Sequence, residues 1–326
     1  MIKDSFNRIH NYLRISLTDN CNLRCFYCMP EEDYEFTQAS KLMQASEIES
    51  LAKIFVAEGV TKIKLTGGEP LVRKDAAQII LSLAKLPVEL SLTTNGARIH
   101  DFIGVLLEAK IKSINVSLDT LIADKFQLIT RRDIFKQVKA NIILLLQNNI
   151  RVKINVVVMK GLNDMEIVDF IAWTKDAALE VRFIEFMPFA GNRWTSNQVV
   201  SLEDILGFVA SRYEYLPLQG SLNDTAKHYQ IPGHIGSFAI ISTMSAPFCS
   251  TCNRMRLTAD GKLKNCLFSE AETDLLTPLR NCENVLPLIH SCIGNKAKAL
   301  GGQFSGLFEH IEASSIHNRS MITIGG

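Results

Sequence analysis

The stretch LRISLTDNCNLRCFYCMP, residues 13–30, sets a β-branched run directly against cysteines at positions 21, 25 and 28. The run alternates apolar and polar residues, which is the period of a strand. A disulfide would use two of the three thiols; a structural zinc or a complete iron–sulfur cluster would want four. A strand that ends in a ligand-bearing loop is the layout of a parallel α/β barrel, whose functional groups gather at the carboxyl ends of its strands.

Outward from this stretch, strand patterns recur near 12–18, 61–67, 88–95, 113–119, 151–159 and 180–187. Helix-like segments lie between them, near 46–58, 74–85, 98–109, 133–148 and 164–176. Ile48, Leu51, Ile54 and Phe55 repeat at helical spacing. Strands separated by helices argue for parallel pairing. A closed barrel takes about eight such units. Six predict an α/β fold with an incomplete (βα)6 TIM-like barrel, open on one side.

After about residue 215 the rhythm breaks. PLQGSLNDT and IPGHIGS read as loops, SFAIIST (237–243) as a strand, and RMRLTADGKLKNCL as a hairpin turning at Asp260–Gly261. The expected organisation is a barrel over 1–215 and a smaller region over 216–326 that packs on it and carries its own cysteines.

The chain has 326 residues, 47% of them hydrophobic, with 35 Lys and Arg against 34 Asp and Glu. That balance gives no bulk field for a nucleic acid or a membrane surface, so an anionic ligand must be met by a local cluster of bases. The start shows no signal-peptide pattern, and NIILLLQNNI (141–150) is broken by polar residues too early to span a bilayer. A cytoplasmic setting is expected, where clustered cysteines more often bind metal or do chemistry than pair.

A second thiol set, Cys249, Cys252 and Cys266, lies in FCSTCNRMRLTADGKLKNC. Three thiolates can hold three irons of a four-iron cube and leave the fourth open to a ligand. The lesser alternatives are a zinc site completed by a distant histidine, with His10 the one nearby, or a chance cluster of buried thiols for the first set, and a zinc knuckle for the second. Cys282 and Cys292 fit neither set and read as packing cysteines. Arg254 and Arg256 share a strand face beside the second set and suit a phosphate or carboxylate.

Polar residues also alternate within the strands: Arg14 with Ser16; Lys62, Lys64 and Thr66; Thr93 with Asn95; Asn115 with Ser117; Lys153 with Asn155. Facing inward, they would line a wet channel; capping strand ends, they would not. In TGGEP (66–70), two glycines allow close backbone approach to a ligand, and Glu69 offers a carboxylate to an ammonium. The chain ends MITIGG, a diglycine with no aliphatic helix before it, narrow enough to thread into a cavity.

Cys-x3-Cys-x2-Cys with an aromatic before its last cysteine, together with TGGEP, resembles the signature of radical S-adenosylmethionine (SAM) enzymes. LRISLTDNCNLRCFYCMP, TGGEPLVRKD, LTTNG, INVSLD, VRFIEFMP, FCSTCNRMRL, CLF and the terminal IGG together resemble the MoaA family, the GTP 3′,8-cyclases of molybdenum-cofactor biosynthesis. The resemblance implies a lyase with two [4Fe-4S] clusters. Cys21, Cys25 and Cys28 would hold the one that binds SAM, and Cys249, Cys252 and Cys266 the one that meets the guanine base. It assigns Tyr27, Gly68, Asn95, Ser117 and Met187 to SAM. It assigns Arg14, Lys64, Thr93, Lys153, Arg182, Arg254, Met255 and Arg256 to GTP, with Arg14, Arg254, Arg256 and the tail glycines Gly325 and Gly326 in catalytic roles.

The implied reaction removes the C3′ hydrogen of GTP with a SAM-derived 5′-deoxyadenosyl radical and closes the carbon onto C8. It gives (8S)-3′,8-cyclo-7,8-dihydroguanosine 5′-triphosphate, the first step of molybdopterin biosynthesis. Implied partners are a reductase or flavodoxin-type electron donor and the cyclic pyranopterin monophosphate synthase that takes the product. A homodimer is compatible with the sequence, which leaves the oligomeric state open. Lys64 stands where the family has an arginine, keeping the charge but losing the two-pronged fork. The loop after CMP is short for the family. Two rivals keep other chemistries in view. A peptide-modifying radical SAM enzyme typically carries more cysteines in its second region, and a zinc-binding interaction module would do no catalysis.

Overall fold

The structure is a computed structural model that describes residues 1–30, 34–304, 308–312 and 316–325. Its first part runs β1 (Tyr12–Ser16), α1 (Ala45–Ala57), β2 (Lys62–Thr66), α2 (Ala76–Leu83), β3 (Glu89–Thr94), α3 (Ile99–Glu108), β4 (Ser113–Ser117), α4 (Ala123–Thr130), α5 (Phe135–Gln147), β5 (Arg151–Val158), α6 (Ile167–Trp173), β6 (Leu179–Glu185) and α7 (Leu202–Ala210). Six strands separated by helices are therefore present, as the pattern predicts. Two helices escaped it. The segment that forms α4 is only weakly apolar and ends at Arg131, in the left-handed conformation with φ +56°. For α7 a signal existed: Ser201 caps the helix and accepts from the Asp204 amide at 3.2 Å, while the Asp204 carboxylate accepts from the Ser201 amide at 3.0 Å.

The later chain adds β7 (Leu216–Leu218), β8 (Lys227–Gln230), β9 (Ser237–Ile241), β10 (Arg254–Leu257), β11 (Lys262–Lys264), β12 (Thr273–Asp274), α8 (Leu276–Arg280), α9 (Leu286–Gly294) and α10 (Met321–Ile324). All twelve strands form one sheet in the order β12-β11-β10-β1-β2-β3-β4-β5-β6-β9-β8-β7. Here the six-strand expectation is enlarged. β10 pairs parallel with β1, and β9 parallel with β6, so eight strands run parallel. The six-stranded piece would leave two unpaired edges, and an edge is a row of unsatisfied amides and carbonyls. Strands from the loop-rich later region cover both. Among the described residues β9 and β10 are not neighbours, so the barrel stays open between them. The expected hairpin is β10 and β11, antiparallel with Arg256 opposite Lys264.

Strand alternation sorts the side chains. Leu13, Ile15, Ile63, Leu65, Leu92, Ile114, Val116, Ile154, Val181 and Phe183 are buried in the main core with Ile48, Leu51 and Phe55 of α1 and Val138, Ile142 and Leu145 of α5. Each such burial stabilises by roughly 1.5–3 kcal/mol relative to exposure. The alternate residues face the other way and are polar, the reverse of a packed small barrel.

Three smaller expectations change. Cys292 is buried, but Cys282 is exposed, at φ +60° just past α8, and does not pack. His10 is engaged elsewhere, its Nε2 lying 3.0 Å from Asp4 in a buried pair, while its Nδ1 is buried without a partner. The diglycine is preceded by a short apolar helix after all, α10, with Ile322 and Ile324 buried. Among the described residues no helix is long and apolar enough to cross a membrane.

Candidate active site

The first cysteine set lies on the loop leaving β1, and backbone bonds fix its shape. Cys28 and Met29 amides both donate to the Cys25 carbonyl, at 2.9 and 2.8 Å, and the Arg24 and Phe26 amides reach the end of α4 at Thr130 and Ile129. The Leu23 amide and Asn95 Nδ2 approach Cys21 Sγ at 3.4 and 3.7 Å. Burial first, then the neighbouring Glu69, Asp119 and the cysteines themselves, pushes Cys21 up to about 11, Cys28 to about 12 and Cys25 well above the ordinary thiol range. A cationic metal group would reverse that cost by stabilising the thiolates.

TGGEP serves this loop in an unexpected way. The Gly68 amide donates to Thr18 at 2.6 Å and the Glu69 amide to Asn20 at 2.8 Å, and a Cβ on Gly68 would meet the Asp19 and Asn20 carbonyls at 2.5 Å. The close approach is thus to the chain leading into the cysteines. Glu69 is buried, and it accepts from Leu71 (3.0 Å), Thr94 Oγ1 (2.8 Å) and the Asn95 amide (2.6 Å). Burial outweighs these donors and raises its carboxyl to about 7. Three of a carboxylate's roughly four acceptor positions are taken, so Glu69 chiefly ties β2 to β3.

Of the residues assigned to SAM by resemblance, Gly68 after β2, Asn95 after β3, Ser117 closing β4 and Met187 after β6 sit at or just past strand carboxyl ends, and Tyr27 is on the cysteine loop that leaves β1. Tyr27 donates to Asp119 Oδ2 at 2.7 Å and packs edge-on against Phe186. Asp119, which burial raises to about 6, also accepts from the Val157 amide at 2.8 Å.

Inside the barrel is a cavity of about 390 Å³, within the usual span for a small-ligand site. Arg14, Lys62, Lys64, Lys153, Arg182, Arg254, Arg256 and Lys296 line it, against only Glu89 and Asp224. Ser91, Asn115 and Asn155 complete the polar wall; of the residues expected inward, Arg14, Lys62, Lys64, Asn115, Lys153 and Asn155 line this channel, and Ser16, Thr66, Thr93, Asn95 and Ser117 are not part of its lining. Register sets Arg256, Arg14 and Lys64 side by side across β10, β1 and β2, and Asn155 beside Arg182 across β5 and β6. Arg14 Nε, Thr93 Oγ1 and Asn155 Oδ1 are buried with no hydrogen-bond partner, a pattern that native interiors avoid unless a ligand completes it. Lys64 donates to Asn115 Oδ1 at 3.1 Å; burial, then Arg14, Arg182 and Lys153, holds it well below the lysine range. Arg14 is lowered by burial and by Arg254.

Cys249, Cys252 and Cys266 line the same cavity. Cys252 differs from the other thiols: against its burial, Arg254 and Lys296 bring it down to about 6. Arg254 Nη2 is 3.8 Å from its sulfur and the guanidinium lies over the Phe248 ring. Among the described residues no three His, Cys, Asp or Glu donors converge on one ion position; the chemistry of the donor sets is three thiols at each site. Met255 is placed away from the cavity, fully buried in the main core beside Leu13 on β1. Gly325 reaches in: its carbonyl accepts from Arg256 Nη1 at 2.7 Å. Gly326 lies outside the described residues, as do residues 31–33 of the loop after CMP.

Sequence reasoning missed Lys296, Glu180 and His228. Glu180 contacts Arg182, Lys153 at 3.8 Å and His228 Nδ1 at 3.1 Å. Burial opposes its charge, but His228, Arg182 and Lys153 hold it at about 2. The Arg182 partner could have been read from the Glu180-x-Arg182 strand spacing; Lys153 meets Glu180 only through the β5–β6 pairing, and nothing in the sequence points to Lys296 or His228.

Comparison with known proteins gives a consistent result. Residues 15–174 match the Radical SAM superfamily and residues 179–301 match Molybdenum Cofactor Synthesis C. The chain is 43% identical to the mitochondrial GTP 3′,8-cyclase of Arabidopsis thaliana, covering 100% of this chain and 84% of that one. It is 39% identical to the GTP 3′,8-cyclase of Listeria monocytogenes over 91% of each. Against molybdenum cofactor biosynthesis protein 1 of Dictyostelium discoideum it is 43% identical, covering 100% of this chain and 52% of the relative. The chain thus spans about half the length of several curated relatives it matches. A crystal structure of Streptococcus suis SuiB bound to S-adenosylmethionine shares the fold at TM-score 0.62, with 15% identity, covering 89% of this chain and 68% of that one. With the cysteine loop, the cationic barrel and the later cysteine set on one sheet, and with most of the Arabidopsis and Listeria GTP 3′,8-cyclases covered at 43% and 39% identity, the chain belongs to the GTP 3′,8-cyclase family of radical SAM proteins.

Proposed function

We propose that the protein converts GTP to 3′,8-cyclo-7,8-dihydro-GTP. The observation that carries this reading is the cavity itself, with eight Lys and Arg against two Asp and Glu, closed on one side by a three-thiol set. A triphosphate is the anion that such a density of bases around one cavity suits.

Cys21, Cys25 and Cys28 would hold one [4Fe-4S] cluster, and Cys249, Cys252 and Cys266 a second. Held by Cys21, Cys25 and Cys28, the first cluster would supply the one-electron chemistry that cleaves SAM. The chain's own work is placement. Arg14, Lys64, Lys153 and Arg182 fix the phosphates, so that the ribose C3′ faces the SAM rim formed by Tyr27, Gly68, Asn95, Ser117 and Met187. Thr93 offers its unpaired hydroxyl to the substrate. The sulfur side of the cavity receives the base, with Arg254 and Arg256 beside it. Gly325, and Gly326 beyond it, close the site through Arg256. The GTP contact carried over to Met255 is proposed for its main chain. The division at residue 215 is proposed as one of labour, SAM on the first part and base recognition on the second, across a shared sheet. A reductase or flavodoxin-type electron donor and a synthase that accepts the product are the proposed partners, in a cytoplasmic setting.

The test is an anaerobic incubation of iron-loaded protein with SAM, a reductant and GTP. Deoxyadenosine should form only with GTP present, alongside a GTP isomer of altered retention. Iron analysis should give about eight irons per chain for two four-iron clusters.

A further inference from the structure

Lys296 follows α9 and is 4% exposed. Its Nζ donates to Cys252 Sγ at 3.4 Å and to the Arg254 carbonyl at 3.0 Å. Among the described residues it makes no ion pair with a carboxylate. A buried ammonium without a carboxylate is costly unless another anion faces it, and the group facing this one is a cysteine sulfur. Among the described residues no ammonium or guanidinium donates to a sulfur of the first set: the donors to Cys21 are a backbone amide and the Asn95 carboxamide, both neutral, and Arg24 beside it donates to its carbonyl instead.

Hydrogen bonds to cluster sulfurs and local charge set an iron–sulfur reduction potential, because a donor stabilises the more negative, reduced state. We infer that Lys296 raises the reduction potential of the second cluster through its contact with Cys252, and so separates the two clusters of one chain in redox behaviour. This rests on the reading of Cys249, Cys252 and Cys266 as cluster ligands. Lys296 is a tuning residue here, acting through a ligand and not on GTP.

The experiment compares wild type, Lys296→Met and Lys296→Arg after anaerobic reconstitution. Iron is counted, and each cluster is then followed by electron paramagnetic resonance during a redox titration. In Lys296→Met the reduced-to-oxidised ratio of the second cluster at fixed potential should fall at least about tenfold. The first cluster, an internal control, should not move, and Lys296→Arg should recover most of the shift. If Lys296→Met fails to hold iron, Lys296→Gln, which keeps a neutral donor, replaces it in the same titration. Two clusters with an unmoved second potential overturn the role of Lys296 alone, as does an equal shift of both. Iron for only one cluster in wild type overturns the ligand reading itself. Weaker GTP binding in Lys296→Met with an unchanged potential would make it a substrate contact and overturn the inference.

Discussion

Arg256 Nη1 donates to the carbonyl of Gly325 at 2.7 Å, so the end of the chain is tied to the inner wall of the barrel it started. Gly325 sits at φ +84°, and a Cβ there would stand 2.7 Å from Thr66 Oγ1 and 2.8 Å from Ser16 Cβ. A side chain is excluded by both backbone and space. Gly325→Ala should lower GTP turnover at least about tenfold, the scale of a 1.4 kcal/mol loss of positioning. The melting temperature should move little, because only the last residues must shift. Turnover and thermal melts on the same preparation decide it; full turnover would make the tail dispensable.

Lys64 gives a test in which stability and binding move in opposite directions. Burial, with Arg14, Arg182 and Lys153 around it, depresses its folded pKa. The unfolded chain holds that proton up to about pH 10.4, so between the two values the unfolded state binds more protons and stability rises with pH. Lys64→Met removes this cost and should raise the melting temperature at neutral pH. GTP affinity should fall roughly tenfold to a hundredfold, the worth of a charged hydrogen bond. Melts and equilibrium GTP binding are the readouts, and unchanged affinity would take Lys64 out of the phosphate site.

His10 and Asp4 make acid sensitivity legible. Burial, then Lys296 and Arg8, lowers His10 to about 4 despite Asp4, while hydrogen bonds from His10 and Arg8 hold Asp4 at about 2 against burial. As pH falls from 6.5 towards 4 the unfolded imidazole takes a proton that the folded one refuses, so stability is lost across that window. The loss is about 3 kcal/mol. Asp4 contributes a separate loss between 3.8 and about 2. His10→Gln should flatten the upper window in urea unfolding and leave the lower one. An unchanged slope from pH 6.5 to 4 would place the sensitivity elsewhere.

Glu185 closes β6 fully buried and accepts from the amides of Leu202 (3.0 Å), Met244 (2.7 Å) and Ser245 (3.0 Å), and from the Ser245 hydroxyl. It joins α7 to the loop that leads to Cys249. Glu185→Leu strands these donors, at about 1–3 kcal/mol each. Unfolding by urea should show a loss of about 3 kcal/mol or more. Iron bound at the second site should fall with it if that loop sets the cysteine positions.

The barrel's six strands were legible from short β-branched runs between helical patterns, and three of them alternate cleanly, as in Arg151–Val158, where every second residue is buried. β9 and β10 gave no such warning of parallel pairing. They follow loops and a hairpin, and only the need to cover the edges of β1 and β6 places them. The cysteines and the basic strand residues could be read one by one. Their convergence could not, since Arg14 meets Arg256 only through a pairing that joins residues more than two hundred apart in sequence. The grip of Gly68 and Glu69 on the chain at Thr18–Asn20 was not legible, because a turn that holds its neighbouring loop uses the same residues as one that holds a ligand.

The most direct measurement of the central claim is deoxyadenosine formation by the anaerobic, iron-loaded protein, with and without GTP. Formation that depends on GTP, matched by a GTP isomer in equal amount and lost in Arg14→Ala, is the expected result. Formation indifferent to GTP, with GTP recovered unchanged, would contradict it.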